Sequence, residues 1–252
     1  MGLKKSSFND FRSALGFITI LPAGSDLKFA PGEMIRFFPV VGLILGGMLA
    51  AFDFIVSSLF YKGVAALLDM VFLVVVTGAF HLDGVGDTAD GIFSHRPREK
   101  ALLIMKDSRC GIMGLVAVVC TLALKFAGIY SVKSYYPAGT AALLLLIIPA
   151  YSRAGMIFGI KFLNYGRTKG TGHGFFEREL KFHDFIWFSI PVFLSCFTGF
   201  KFMIINTAFG LMVFSILCFY REKMKCITGD MLGAMTEIVE AMLFIIAGMT
   251  LF

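Results

Sequence analysis

The stretch Gly139-Thr-Ala-Ala-Leu-Leu-Leu-Leu-Ile-Ile-Pro-Ala-Tyr-Ser-Arg-Ala-Gly-Met-Ile-Phe-Gly-Ile160 carries a single charge, Arg153. A helix crosses the hydrocarbon core of a bilayer with about 20 apolar residues, and this run meets that length. Six further apolar runs surround it, at 37–60, 64–82, 112–130, 184–198, 202–220 and 231–252. Lys201 is the only charged residue between the runs at 184–198 and 202–220, so they also read as a re-entrant pair. The last run contains charges. Together these runs predict an all-α, polytopic membrane helix bundle with about seven transmembrane helices, forming one domain over residues 1–252.

Composition points the same way. Of 252 residues, 58% are hydrophobic, 16% are charged and 29 are Phe. Mean hydropathy is +0.82. A soluble domain is nearer one half apolar and one quarter charged, so a soluble globule, a nucleic-acid binder and a disordered chain are poor readings. Five Cys, an odd number without a CxxC pair, suggest neither a disulfide framework nor a zinc site.

Lys and Arg distribute in alternation along the chain. Counted from the N-terminus, the segments between the apolar runs and the final pre-helical loop hold five, one, five, one, five, one and three. Cytoplasmic loops carry the excess of basic residues. The N-terminus and the long loops are therefore expected in the cytoplasm, with a net charge of +6 explained by those loops. Phe8, Phe11, Leu15 and Ile18 recur at helical spacing and predict an N-terminal amphipathic helix on the cytoplasmic face. The run at 14–21 is too short, and lacks the cleavage site, for a convincing signal peptide.

The acidic residues fall in two places. The first is His81-Leu-Asp83-Gly-Val-Gly-Asp87-Thr-Ala-Asp90-Gly91. On a helix Asp83, Asp87 and Asp90 fall within an arc of roughly 60°. Three carboxylates on one stripe repel one another, and hard oxygen ligands favour Mg²⁺ or a similar cation. The bland alternative is a solvated acidic helix end. Gly84, Gly86 and Gly91 cost helix stability and permit close approach. His81 points away from the stripe and reads as a buried or interfacial histidine, not a metal ligand.

The second place opens the last run: Thr228-Gly-Asp230-Met-Leu-Gly233-Ala234-Met-Thr-Glu237-Ile-Val-Glu240. Asp230 and Glu237 share a helix face, with Gly233 and Ala234 between them. A carboxylate at bilayer depth is costly unless it is paired, protonated or facing water. Arg153 is available to pair with Glu237 or Glu240, or to hold an anionic substrate group. Two other segments map to the same face: Ile104-Met-Lys106-Asp107-Ser108-Arg109-Cys-Gly111, after a short helix opened by Pro97, and the loop Gly166-Arg-Thr-Lys169-Gly-Thr-Gly172-His-Gly174. Backbone N–H groups with Lys and Arg suit phosphate, although such glycines and bases also serve as plain surface loops. Carboxylates for a divalent cation beside cations for phosphate suggest chemistry on a diphosphate at a membrane surface.

The block from His81 to Gly91, followed by Ala101-Leu-Leu-Ile-Met-Lys-Asp-Ser-Arg109, resembles the cobalamin synthase family, the adenosylcobinamide-GDP ribazoletransferases. Phe17-Ile-Thr-Ile-Leu-Pro22, Phe37-Phe-Pro-Val-Val-Gly42, Ser152-Arg153 and Thr228-Gly-Asp230-Met-Leu-Gly233-Ala234 with Glu237 extend the resemblance over almost the whole chain. Cys110 and the segment 171–176 depart from it.

The resemblance implies a Mg²⁺-dependent transferase in the cell (inner, cytoplasmic) membrane, its active site facing the cytoplasm. A hydroxyl of α-ribazole, or of its 5′-phosphate, attacks adenosylcobinamide-GDP, GMP leaves, and adenosylcobalamin or its 5′-phosphate forms. On this basis Asp83, Asp87 and Asp90 hold Mg²⁺. Asp230 and Glu237 complete the metal shell or position the ribazole. Lys106, Arg109 and Arg153 bind phosphate oxygens, Glu240 belongs to the substrate-binding set, and Asp90 is the candidate catalytic base. Expected partners are the two substrates and the lipid bilayer, without nucleic acid. A second copy of the chain and other cobalamin-assembly enzymes are further candidate partners. The enzyme alternative is a CDP-alcohol phosphotransferase, but the Ala-Arg of its Asp-Gly-x-x-Ala-Arg signature is missing after Asp83-Gly-Val-Gly. An ion-coupled transporter is the alternative of another class, and the paired repeats it often carries are not found.

Overall fold

A computed structural model describes residues 2–24, 29–107, 109–167, 170 and 172–250, with side chains from Ser7 onward. Lys28, Lys169, Ser108 and the last two residues of the seventh run lie outside the described residues, as do the side chains of Lys4 and Lys5.

Eleven α-helices follow one another among the described residues: α1 (Gly2–Ile18), α2 (Pro31–Met34), α3 (Phe38–Leu59), α4 (Lys62–Val76), α5 (Phe80–Ile92), α6 (Arg98–Ile104), α7 (Ile112–Tyr135), α8 (Ala138–Phe162), α9 (Ser189–Ser195), α10 (Lys201–Lys223) and α11 (Gly229–Ala247). The only extended pairing among these residues is an isolated parallel bridge between Tyr165 and Ile227. The chain is therefore all-α and reads as a multi-pass membrane protein.

Four helical runs are long and apolar enough to cross a membrane: Pro31–Leu59, α7, α8 and α10. They match four of the expected runs. The run at 64–82 becomes α4 joined to α5 through an 88° bend, and the two qualify together as a broken span. Gly78 and Ala79 make that corner with φ of 60° and 56°, a left-handed backbone that glycine adopts at little cost. The run at 184–198 is a short apolar helix split into 3₁₀ and α pieces. The seventh run is α11, whose Asp230, Glu237 and Glu240 interrupt its apolarity.

Small residues set how the bundle closes. α3 and α8 form the largest interface. At Gly42 an added Cβ would lie 2.5 Å from the Pro149 carbonyl oxygen, and Gly46 sits more tightly still on the Leu146 carbonyl. Gly42 and Gly46 are four apart, the small-xxx-small spacing by which membrane helices approach backbone to backbone. α11 packs against α5, α7 and α8, and is the central helix. Its Gly-bordered contact with α7 occurs at Gly128, where a Cβ would meet the Ile245 nitrogen at 2.6 Å.

α1 docks on the bundle through Ala14 and Ile18, both fully buried, while Phe8 is exposed. Its polar face is not wholly solvated. Asp10 is buried and accepts a hydrogen bond from Arg36 at 2.9 Å. Burial pushes the Asp10 carboxyl up from its ordinary range, against the opposing effect of Arg36. Beyond α8, Arg178 bonds Asp184 at 2.7 Å and the Gly32 carbonyl at 3.0 Å. That pin brings the 3₁₀ helix His173–Phe176 against α2 and buries Phe175 over α3.

Candidate active site

The corner at Gly78 and Ala79 lays α5 across the start of α11. The crossing is close because two glycines face it. A Cβ on Gly84 would lie 2.6 Å from the Asp230 carbonyl oxygen, and one on Gly233 would lie 3.3 Å from the His81 Cα. Side chains of ordinary size would hold these helices apart and separate Asp83 from Asp230.

Thr228 caps α11 by accepting the Met231 N–H at 3.2 Å. Asp230 thus sits in the first turn. The Tyr165–Ile227 bridge, with Gly166 N–H donating to the Ile227 carbonyl and Ile227 N–H to the Asn164 carbonyl at 2.9 Å each, brings Arg167 to Asp230. The ion pair is 2.7 Å long. Asp83 is exposed and Asp87 half-buried. Asp87 feels Asp83, Asp230 and Asp90 as like charges, with Arg167 as the opposing cation. Negative charge is in excess at the crossing.

Asp90 has a separate task. Its two oxygens accept the backbone N–H groups of Gly111, at 2.7 Å, and Gly114, at 2.8 Å. These are among the orphan donors that open α7. With one amide on each oxygen, Asp90 ties the end of α5 to the start of α7 as well as sharing the acidic stripe. Helical spacing placed Asp90 on the stripe correctly, but it could not reveal the amides brought to it from α7.

Beneath the crossing lies a buried network of charges. Lys125 of α7 meets Glu237 at 2.5 Å and Glu240 at 2.7 Å. Arg153 of α8 pairs with Glu240, and the Ser152 hydroxyl donates to Glu240 at 3.0 Å. All four charged side chains are buried. Thus Glu237 is joined to Lys125 rather than gathered with the stripe, and Arg153 and Glu240 form the ion pair that was one of the two sequence readings. Lys125 was visible in the sequence only as a stray charge in an apolar run. Lys106 and Arg109 are exposed. The Arg109 guanidinium is bonded to Asp107 at 2.5 Å, which holds that carboxyl down at about 2. Neither Lys106 nor Arg109 lines the cleft described next.

Between α1, α3, α5, α8 and α11 a narrow cleft of about 80 Å³ opens beside Asp83 and Asp230. Phe17, Phe38, Phe80 and Phe175 wall it, and His81 reaches it from α5. No local pattern marks this cleft, since its walls come from segments far apart in the chain.

Among the described residues no group of three or more His, Cys, Asp or Glu side chains could hold a metal ion. Asp83, Asp87 and Asp230 instead offer an open, partial set of hard oxygen donors. Mg²⁺ is usually bound by one or two carboxylates together with substrate phosphates and water, so this donor set fits an ion completed by a diphosphate.

Residues 10–248 match the family model described as cobalamin-5-phosphate synthase. The chain belongs to that family. A protein from Acetivibrio thermocellus named adenosylcobinamide-GDP ribazoletransferase is 33% identical over 92% of this chain and 94% of its own length. Proteins of the same name from Alkaliphilus metalliredigens and a Roseiflexus species are 34% and 35% identical, covering 94% and 92% of this chain and 95% and 87% of theirs. No solved structure matches. Membership in the cobalamin-5-phosphate synthase family sets aside both the CDP-alcohol phosphotransferase and the transporter.

Proposed function

We propose that this chain is an adenosylcobinamide-GDP ribazoletransferase that works with Mg²⁺ at the α5–α11 crossing. Family membership supports the reaction. The observation that carries the site is the meeting of Asp83, Asp87 and Asp230, under-neutralised, with Arg167 beside an aromatic cleft. In the reaction a hydroxyl of α-ribazole, or of its 5′-phosphate, forms a new P–O bond to the cobinamide-linked phosphorus. The bond to the GMP oxygen breaks, and GMP leaves with that electron pair.

Asp83, Asp87 and Asp230 would hold the metal, which supplies positive charge for the diphosphate and the departing GMP. Arg167 binds a phosphate oxygen, since a guanidinium matches phosphate as well as carboxylate. Asp83 and Asp230, at the cleft, are the acceptors available for the hydroxyl proton. Lys106 and Arg109, exposed on their loop, are candidates for outer phosphate contacts. Glu237, Glu240 and Arg153 support the helices from below instead of touching substrate. The alternation of basic loops supports an inner-membrane enzyme with this face in the cytoplasm.

The test is incubation of the detergent-solubilised protein with adenosylcobinamide-GDP, α-ribazole 5′-phosphate and Mg²⁺, followed by chromatography. GMP and a new corrinoid should appear together, and chelation by EDTA should stop both. A folded protein that makes neither product would end the proposal.

A further inference from the structure

The His81 side chain has a place in the fold but no local purpose. It is 1% exposed, and neither ring nitrogen has a hydrogen-bond partner among the described residues. The charges of Arg153, Glu237 and Lys125 lie near it without bonding to it. A buried polar group without a partner costs on the order of 1–3 kcal/mol, so an unmatched imbalance of this kind calls for an explanation. His81 lines the aromatic cleft, and a bound molecule there would supply what the protein does not.

The cleft limits what that molecule is. Phe17 stands edge-on to Phe80 and Phe175, with ring centres 5.4 and 5.3 Å apart, and Phe38 meets Phe175 at 6.0 Å. Met156 and Leu232 add apolar surface. Edge-and-face aromatic walls suit a flat ring. Room of about 80 Å³ is below the roughly 150 Å³ that seats a single benzene, so the cleft takes only the edge of a ring, and the corrin macrocycle stays outside.

Two flat rings are present in the proposed reaction. Guanine carries several donors and acceptors on its edge, and most would be buried unpaired among these phenylalanines. The base of an α-ribazole is a benzimidazole-type ring with apolar edges and a single free ring nitrogen, an acceptor. A neutral imidazole offers one N–H donor. One donor in an otherwise apolar cleft matches one acceptor on an otherwise apolar base.

We infer that the cleft walled by Phe17, Phe38, Phe80 and Phe175 receives the nitrogen-bearing edge of the acceptor nucleoside's heteroaromatic base, and that His81 donates a hydrogen bond to its free ring nitrogen. This inference rests on the proposed reaction and names the acceptor's seat within it. The ribose then lies at the cleft mouth, beside Asp83 and Asp230, where the attacking hydroxyl is needed.

The test separates acceptor binding from turnover. Binding of α-ribazole 5′-phosphate to the solubilised full chain is measured by calorimetry without adenosylcobinamide-GDP, and KM for each substrate is measured in the complete assay. His81→Phe, which keeps an aromatic ring and removes the donor, should weaken ribazole binding and raise its KM at least tenfold. The KM for adenosylcobinamide-GDP should move less than twofold, and His81→Gln should restore part of the loss. Phe17→Ala, at the cleft wall, should narrow the preference for benzimidazole over adenine as the acceptor base. Unchanged ribazole affinity in both His81→Phe and Phe17→Ala, absence of ribazole binding by the wild type, or a KM effect confined to adenosylcobinamide-GDP would overturn the inference. Turnover with His81-independent ribazole binding would sink the seat and keep the reaction. His81-dependent binding without turnover would do the reverse.

Discussion

Two clusters of acidic side chains share helix α11 and differ in their company. At the α5–α11 crossing Asp83, Asp87 and Asp230 share Arg167. Deeper in α11, Glu237 and Glu240 meet Lys125 and Arg153, and a third cluster joins Asp53 and Asp69 to Lys133. The Glu237–Glu240 cluster is matched by two cations and closed to solvent, the crossing is negative and partly open, and the third cluster lies between them, with two carboxylates on one lysine and Asp53 partly exposed. Within one helix, charge that the fold has already matched supports architecture, and charge left in excess is available to a ligand. Acidic residues inside a membrane protein therefore sort by their counter-ions rather than by depth.

The sharpest way to break this comparison is to remove one carboxylate from each kind of cluster. Asp87→Ala should lower turnover by about a thousandfold, in line with losing one strong electrostatic contact to a transition state. Its melting temperature in detergent should stay close to that of the wild type. A variant retaining full activity would take Asp87 out of the site. Glu240→Ala should do the opposite: stranding Arg153, while Lys125 keeps only Glu237, costs roughly 3–5 kcal/mol. It should appear as poor yield and a lowered melting temperature, and normal stability would show that the network is not structural.

Lys133→Met extends the contrast to the third cluster. It leaves Asp53 and Asp69 without their cation, so stability should fall by roughly 3 kcal/mol, while activity per folded molecule remains within twofold of wild type. The smallest effect is expected where a pair is partly solvated. Arg36→Ala removes the partner of Asp10, in a pair whose arginine is 23% exposed, and should cost about 1 kcal/mol. A loss as large as that of Glu240→Ala would mean that α1 carries more of the fold than its contacts imply.

Much of this architecture could be read directly from the residues. Apolar runs located α3, α7, α8 and α10, because span length is a property of contiguous sequence. The spacing of Asp83 and Asp87 put them on one helix face among small residues, but that α11 crosses there was not visible in it. What escaped notice depends on distant partners. Lys125 and Glu237 are 112 positions apart, so neither announces the other. Asp90 shares the stripe by spacing, yet amides from α7 claim it. The cleft gathers Phe17, Phe80 and Phe175 from three segments, and no local pattern links them. His81 was rightly read as buried, but its missing hydrogen bond shows only in three dimensions.

The corner at Gly78 and Ala79 has a consequence for the bilayer itself. α4 has 15 residues, and at 1.5 Å per residue it rises about 22 Å, short of the roughly 30 Å hydrocarbon thickness. The chain turns sideways before it would clear the lipid tails. A short hydrophobic segment is met by local thinning of the bilayer, by snorkelling of its flanking residues or by association with neighbours, each at a modest cost per ångström of mismatch. Acyl-chain length is therefore expected to bear on the enzyme's performance: short-chain lipids relieve the mismatch, and long-chain lipids load it onto the hinge.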